Sequence, residues 1–282
     1  MRSPVLLMRF IALSALLFLA VPAAEAQTAT AQDVAAALRV PELMEVMRDE
    51  GVDYGEDLAG ELFPDEDSGR WQGMVAAIYG APAVRSQFDD VFAEHLAAVP
   101  QDVPVILDFF TSELGKRIVG LEIDARRTML DPAAEEAARL SWSALQEEDS
   151  GRVGDLRRFA EVNNLIEENV AGTMNANLAF YHGLNDGGAF AGDRMDDDEI
   201  VAEVRAQEPQ VRRETEDWLM PYLALAYHPL SDAELAKYIS FSETQAGQTL
   251  NAALFAAYGA VYAEISNELG RAAAQVLAGQ DI

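Results

Sequence analysis

The sequence predicts an all-α protein, a helical bundle built from two related helix-corner-helix units. Three observations predict it. Apolar residues recur at steps of three and four over long stretches, N-cap signals precede those stretches, and one short motif occurs twice at a fixed displacement. No segment alternates apolar and polar residues as a half-buried strand would.

In chain order, Arg2 and Arg9 flank the start of a short apolar run, Phe10 to Val21, and Ala24-Glu25-Ala26 has the small-x-small form that signal peptidase accepts. Residues 1–26 are therefore expected to be a signal peptide, and the remainder a periplasmic or secreted protein. Gly51 to Gly69, with Asp65, Glu66 and Asp67, is polar and glycine-bearing and reads as a loop. Asp131 before Pro132 places an N-cap ahead of a proline at the first helical position. A break at Glu147 to Gly154 divides the chain into a first helical repeat, 27–149, and a second, 150–282. Phe159, Val162, Ile166, Val170, Met174, Leu178 and Tyr181 then fall on one face of a long helix. Leu184 to Asp198 reads as a second acidic loop, and Ser231 with Glu234 has capping-box form. Leu250, Leu254, Ala257, Val261, Ile265, Leu269, Ala272 and Val276 give the last helix a continuous apolar face.

The recurring motif carries the argument for two units. Phe109, Ser112 and Gly115 are matched by Phe241, Thr244 and Gly247, a constant displacement of 132 residues. At the same displacement Asp102 meets Glu234, Leu107 meets Ile239 and Ile118 meets Leu250, so acidic and apolar positions recur in step. Ser112 and Thr244 suit an N-cap, each between an apolar helix and a new apolar period. The glycines would then let backbones approach closely, and the phenylalanines would anchor the corner.

At this motif the chain resembles the exported bacterial family called domain of unknown function 2059, whose hallmark is aromatic-aromatic-x-Ser-Pro-x-Gly followed by a basic or amide residue. Phe109-Phe110-Thr111-Ser112-Glu113-Leu114-Gly115-Lys116 fits except that Glu113 replaces the proline. The second copy, Phe241 to Gln248, lacks the second aromatic and the proline and has Thr for Ser. The resemblance implies a helical exported protein and supplies no activity and no catalytic residue.

Composition narrows the chemistry further. A formal charge of −28 opposes binding to phosphate backbones, so nucleic acid is not an expected partner. No stretch after the leader offers the roughly 20 continuous apolar residues of a membrane span. The absence of cysteine removes disulfides, thiolate metal sites and cysteine nucleophiles. The three histidines, His95, His182 and His228, lie in no zinc-ligand spacing, and no Gly-x-Ser-x-Gly elbow accompanies Ser112. Met44, Met47, Trp71, Met74, Trp142, Trp218 and Tyr222 stand at helical spacings that suit a core.

The leading expectation is a non-catalytic exported helical module that binds a protein or a small apolar partner, with no cofactor. Two readings compete with it. One is a calcium-responsive protein using the loop 186–199, where Asp186, Asp193, Asp196 and Asp198 supply hard oxygen ligands. The other is an enzyme of unknown class, since a helical bundle can hold catalytic residues without a local motif.

Overall fold

The computed structural model describes residues 29–63, 68–148, 151–190 and 194–279. The expected leader, Asp65, Glu66, Asp67 and Asp193 lie outside them. The all-α expectation holds: the described residues form twelve helices and no strand. They are α1 (Ala31–Ala37), α2 (Val40–Leu62), α3 (Ser68–Tyr79), α4 (Pro82–Ala97), α5 (Val103–Phe110), α6 (Glu113–Thr128), α7 (Pro132–Glu147), α8 (Gly151–Val162), α9 (Leu165–Gly187), α10 (Asp197–Tyr227), α11 (Asp232–Ser242) and α12 (Gln245–Leu277). No helix among them is long and apolar enough to cross a membrane.

Local chemistry sets most helix starts. Thr30 and Ser231 form capping boxes with Asp33 and Glu234. Asp131 accepts from the Ala133 N–H, ahead of Pro132. Asp196 caps α10 reciprocally with Glu199. Each of these satisfies an N–H that the first turn of a helix leaves without an intrahelical acceptor.

The longest helix, α12, runs through the core, with Leu250, Ala253, Ala257, Val261, Ile265 and Leu269 almost fully buried along one face. It packs mainly on α9 and α4, while α10 lies on α9, α7 and α6. Buried residues of the helices before α8 and of α8 and those after it belong to one continuous apolar cluster. Where α9 crosses α12 the contact is backbone on backbone. A Cβ on Gly183 would collide with the Asn267 carbonyl, and one on Gly270 with the Phe180 carbonyl, so each glycine admits the partner helix.

Three sequence expectations change. Gly51 to Leu62 is not a loop but the second half of α2. Its glycines admit α3: a Cβ on Gly51 would strike the Tyr79 ring, one on Gly55 would lie 2.8 Å from Val75, and the Trp71 N–H donates to the Gly55 carbonyl at 2.6 Å. The apolar stretch from Phe159 to Tyr181 is two helices, not one. Asn164 turns into the left-handed region (φ 51°) and starts α9, while the Asn163 amide closes α8 by donating to the Phe159 carbonyl. Helix α9 also continues through Leu184 to Gly187, and Gly188, with φ 83°, ends it.

Candidate functional site

The two corners have the same local geometry. Ser112 accepts from the Gly115 N–H at 3.0 Å and donates to the Phe109 carbonyl at 2.5 Å. Thr244 does the same with Gly247 and Phe241, at 3.1 and 2.6 Å. In both, the glycine lies against the helix that has just ended. A Cβ on Gly115 would collide with the Phe109 carbonyl and sit 2.6 Å from the Phe110 Cα; one on Gly247 would collide with the Phe241 carbonyl and sit 2.8 Å from the Ser242 Cα. With its hydroxyl engaged on both sides by main chain, Ser112 serves as a cap.

The corners also meet each other. Phe109 and Phe241 stack with ring centroids 4.1 Å apart and planes at 14°. To either side, Arg117 reaches Glu234 at 2.7 Å, and Thr249 donates to the buried Asp102 at 2.6 Å. These two contacts exchange under the displacement of 132, which carries Asp102 to Glu234 and Arg117 to Thr249. The two contacts are thus reciprocal under that displacement.

Beneath the corners lies a cavity of about 120 Å³. Three pairs of positions related by the same displacement line it: Phe110 and Ser242, Val119 and Asn251, Glu122 and Leu254. Leu38, Leu43, Ile123 and Leu250 complete the apolar wall, with Asn163, Tyr238, Phe241, Gly247 and Tyr258 around it. For scale, an engineered apolar cavity of about 150 Å³ is enough to bind benzene.

Glu122 is the polar centre of this wall. One of its oxygens accepts from the Tyr227 hydroxyl at 2.7 Å and from the Tyr238 hydroxyl at 3.0 Å, while the Tyr222 hydroxyl donates to its main-chain carbonyl at 3.3 Å. Removal from water disfavours the carboxylate and raises the Glu122 pKa from its ordinary value, an effect that the two tyrosine hydrogen bonds only partly oppose. Burial raises both tyrosines in turn, well above the usual phenol value. No cation neutralises Glu122 among the described residues. Arg126, one turn along α6, is held by both oxygens of Glu50 at 2.6 and 2.8 Å and also donates to Tyr262. The Tyr258 hydroxyl is buried and has no hydrogen-bond partner among the described residues.

The other residues singled out in the sequence stand apart from this cavity. Asp186 pairs with Arg194 at 2.9 Å and Arg271 at 3.4 Å. The Asp196 carboxylate caps α10, and Asp198 is exposed in the first turn of that helix. Among the described residues no group of three or more His, Asp or Glu side chains could hold a metal ion. His95 rests its Nδ1 on the Val91 carbonyl, at 3.0 Å, near the end of α4, and His228 ends α10.

The sequence did hold a sign of Glu122. Ile118, Glu122, Ala125 and Met129 follow helical steps of four, three and four, so a carboxylate occupies a stripe whose other members are buried. Its tyrosine partners, 105 and 116 residues further on, carry no local mark. Compared with family models, with curated proteins and with solved structures, the chain gives no match.

Proposed function

We propose that this chain is an exported, non-catalytic helical binding module, built from two related helix-corner-helix units, that holds a small and mainly apolar ligand in the cavity between the corners. The observation that carries the reading is the cavity itself: apolar and aromatic on most of its wall, with few polar groups set among them, as small-molecule sites are. Two units meeting face to face account for its position, since the interface they create is where equivalent residues of both come together. The reciprocal contacts of Arg117 and Thr249 and the stacked phenylalanines support the duplication. Export rests on the signal-like leader, and kinship with domain of unknown function 2059 rests on the corner motif.

Benzene is a suitable first probe. It should raise the thermal midpoint of the protein and broaden or shift NMR resonances of residues around Leu250 and Val119. In Leu254→Trp, where an indole occupies the space, both responses should vanish while helicity is kept. A folded parent protein that shows neither response would overturn the reading.

A further inference from the structure

We propose that the cavity selects a small organic ammonium ion, with its hydrocarbon body against Phe110, Phe241 and Leu250 and its N–H groups donating to Glu122. The inference rests on the reading of the cavity as a ligand site and names the class of ligand.

The polar lining offers carboxyl and amide oxygens that only accept, beside the hydroxyls of Ser242 and Tyr258, which can donate or accept. The Asn251 amide nitrogen donates to the Asn163 carbonyl at 3.0 Å, and the Asn163 amide nitrogen donates to the Phe159 carbonyl at 2.9 Å. Those carbonyl partners fix the orientation of both amides, and the amide oxygens accept nothing from the described residues. The bordering Gly247 N–H is spent on Thr244. Tyr227 and Tyr238 both donate to the same oxygen of Glu122, which leaves its other oxygen without a donor among the described residues. Glu122 lines the cavity, so that oxygen is the one left for a ligand to engage. Toward the ionised Glu122 a ligand brings donors, and the Tyr258 hydroxyl can take either role.

The charge balance selects the kind of donor. The nearest arginine on the same helix is committed to Glu50 and Tyr262, so Glu122 lacks a counter-ion until a ligand supplies one. An ammonium group supplies that charge together with up to three N–H donors. The aromatic rings of Phe110, Phe241, Tyr238 and Tyr258 present π faces or edges to the same space and favour a cation over an anion where a face is offered. A chain of net charge −28 also concentrates cations near its surface.

Proton linkage follows with a definite sign. The groups around the Glu122 side chain are Tyr222 and Tyr227 on α10, Tyr238 on α11, and the Arg126–Glu50 pair beyond them. Burial raises all three tyrosines, which stay neutral below pH 9, and it raises Glu122 above its ordinary value, so Glu122 is the group of this cluster whose charge responds first as pH rises. An ammonium ion pairs with the carboxylate, so binding releases a proton wherever the empty site holds one. Affinity should rise with pH until Glu122 is fully ionised.

The test uses three probes with one carbon skeleton and different heads: isobutylamine, isobutanol and isobutyrate, titrated by NMR into the full mature chain and into Glu122→Gln. Gln can still accept from both tyrosines, which favours a folded variant; Leu254→Trp, which fills the space, is the second control. The amine should bind at least about tenfold more tightly than the alcohol at pH 8, a preference worth about 1.4 kcal/mol. Isobutyrate should bind weakest. Glu122→Gln should bring the amine down to the level of the alcohol while changing the alcohol less than about twofold, and should remove the rise of amine affinity with pH. Alcohol binding as tight as the amine, or an amine preference that survives Glu122→Gln, would overturn the ammonium assignment and leave the cavity reading standing. If none of the three binds to the folded parent, the cavity reading fails and the assignment with it.

Discussion

At the first corner Phe110, Val119 and Glu122 face the cavity; 132 residues later the same positions are Ser242, Asn251 and Leu254. Polarity is inverted at all three pairs. The positions that build the corner behave oppositely: Phe109 and Phe241 are unchanged, Gly115 and Gly247 are unchanged, and Ser112 and Thr244 keep a hydroxyl with the same two partners. Residues that make the turn are alike at the two corners, and those that line the space between the turns differ. A symmetric pocket would present like groups to both ends of a ligand. This one mixes polar and apolar groups on each side, Glu122 with Phe110 and Val119 on one and Leu254 with Ser242 and Asn251 on the other, and places its one carboxyl on the first.

The glycines test the shared half of the comparison, and the effect should be the largest. Gly115→Val and Gly247→Val each force a branched side chain into the backbone of the preceding helix, where even a Cβ lacks room. Main-chain atoms cannot yield as the end of a flexible side chain can. Each substitution should cost about 3 kcal/mol or more, lowering the thermal midpoint by roughly 6–12 °C in a domain of this size. The two losses should be similar. A loss at one corner only would mean that the second helix-helix turn is not under the same constraint as the first.

This part of the fold was legible because caps and close contacts across a tight corner are local in sequence. Ser112 and Gly115 are three residues apart, so the chemistry joining them is visible before any packing is known. The same locality misleads where one residue type serves two ends. Gly51 and Gly55 look like loop residues, yet they lie inside α2 because Tyr79 and Val75 need the space, and the contact depends on α3 folding back. Asn163 and Asn164 interrupt an apolar period that reads as continuous, since a break of two residues scarcely disturbs spacings of three and four. The cavity was not legible at all. Glu122 meets Tyr227 and Tyr238 only through the packing of α6 on α10 and α11, and nothing in residues 118–129 alone says what lies opposite.

Glu122 tests the diverged half, with an intermediate effect that depends on pH. Its pKa is raised in the folded protein by burial, so between its ordinary value and its folded value the folded state holds a proton that the unfolded chain has lost. That contribution is present at low pH and disappears as pH rises through the folded pKa. Glu122→Gln stays neutral throughout and keeps an acceptor for both tyrosines. Urea unfolding of parent and variant at a series of pH values should therefore show the variant gaining on the parent as pH rises above the ordinary glutamate value. Comparing the two proteins cancels the growing self-repulsion of the remaining acids, which both share. Leu254, at the equivalent position in the second unit, has no proton to lose, and Leu254→Met should change stability by an amount independent of pH. If the gap between Glu122→Gln and the parent is constant, the carboxyl is not held neutral and the two sides of the cavity differ only in shape.

Exchanging the caps should have the smallest effect. Ser112→Thr and Thr244→Ser keep the hydroxyl that receives the glycine N–H and reaches back to the phenylalanine carbonyl. The methyl group that distinguishes them has room, because Thr244 is exposed and Ser112 is only partly covered. Both exchanges should stay within about 0.5 kcal/mol of the parent by urea unfolding, whereas Ser112→Ala, which leaves the Gly115 N–H without its acceptor, should cost about 1 kcal/mol. The pair of exchanges is more informative than either alone. Small effects of similar size would mean that the two corners accept each other's cap, as copies of one turn should. A cost confined to Ser112→Thr would place a steric demand on the first corner alone and trace it to the γ-methyl, the one group the exchange adds.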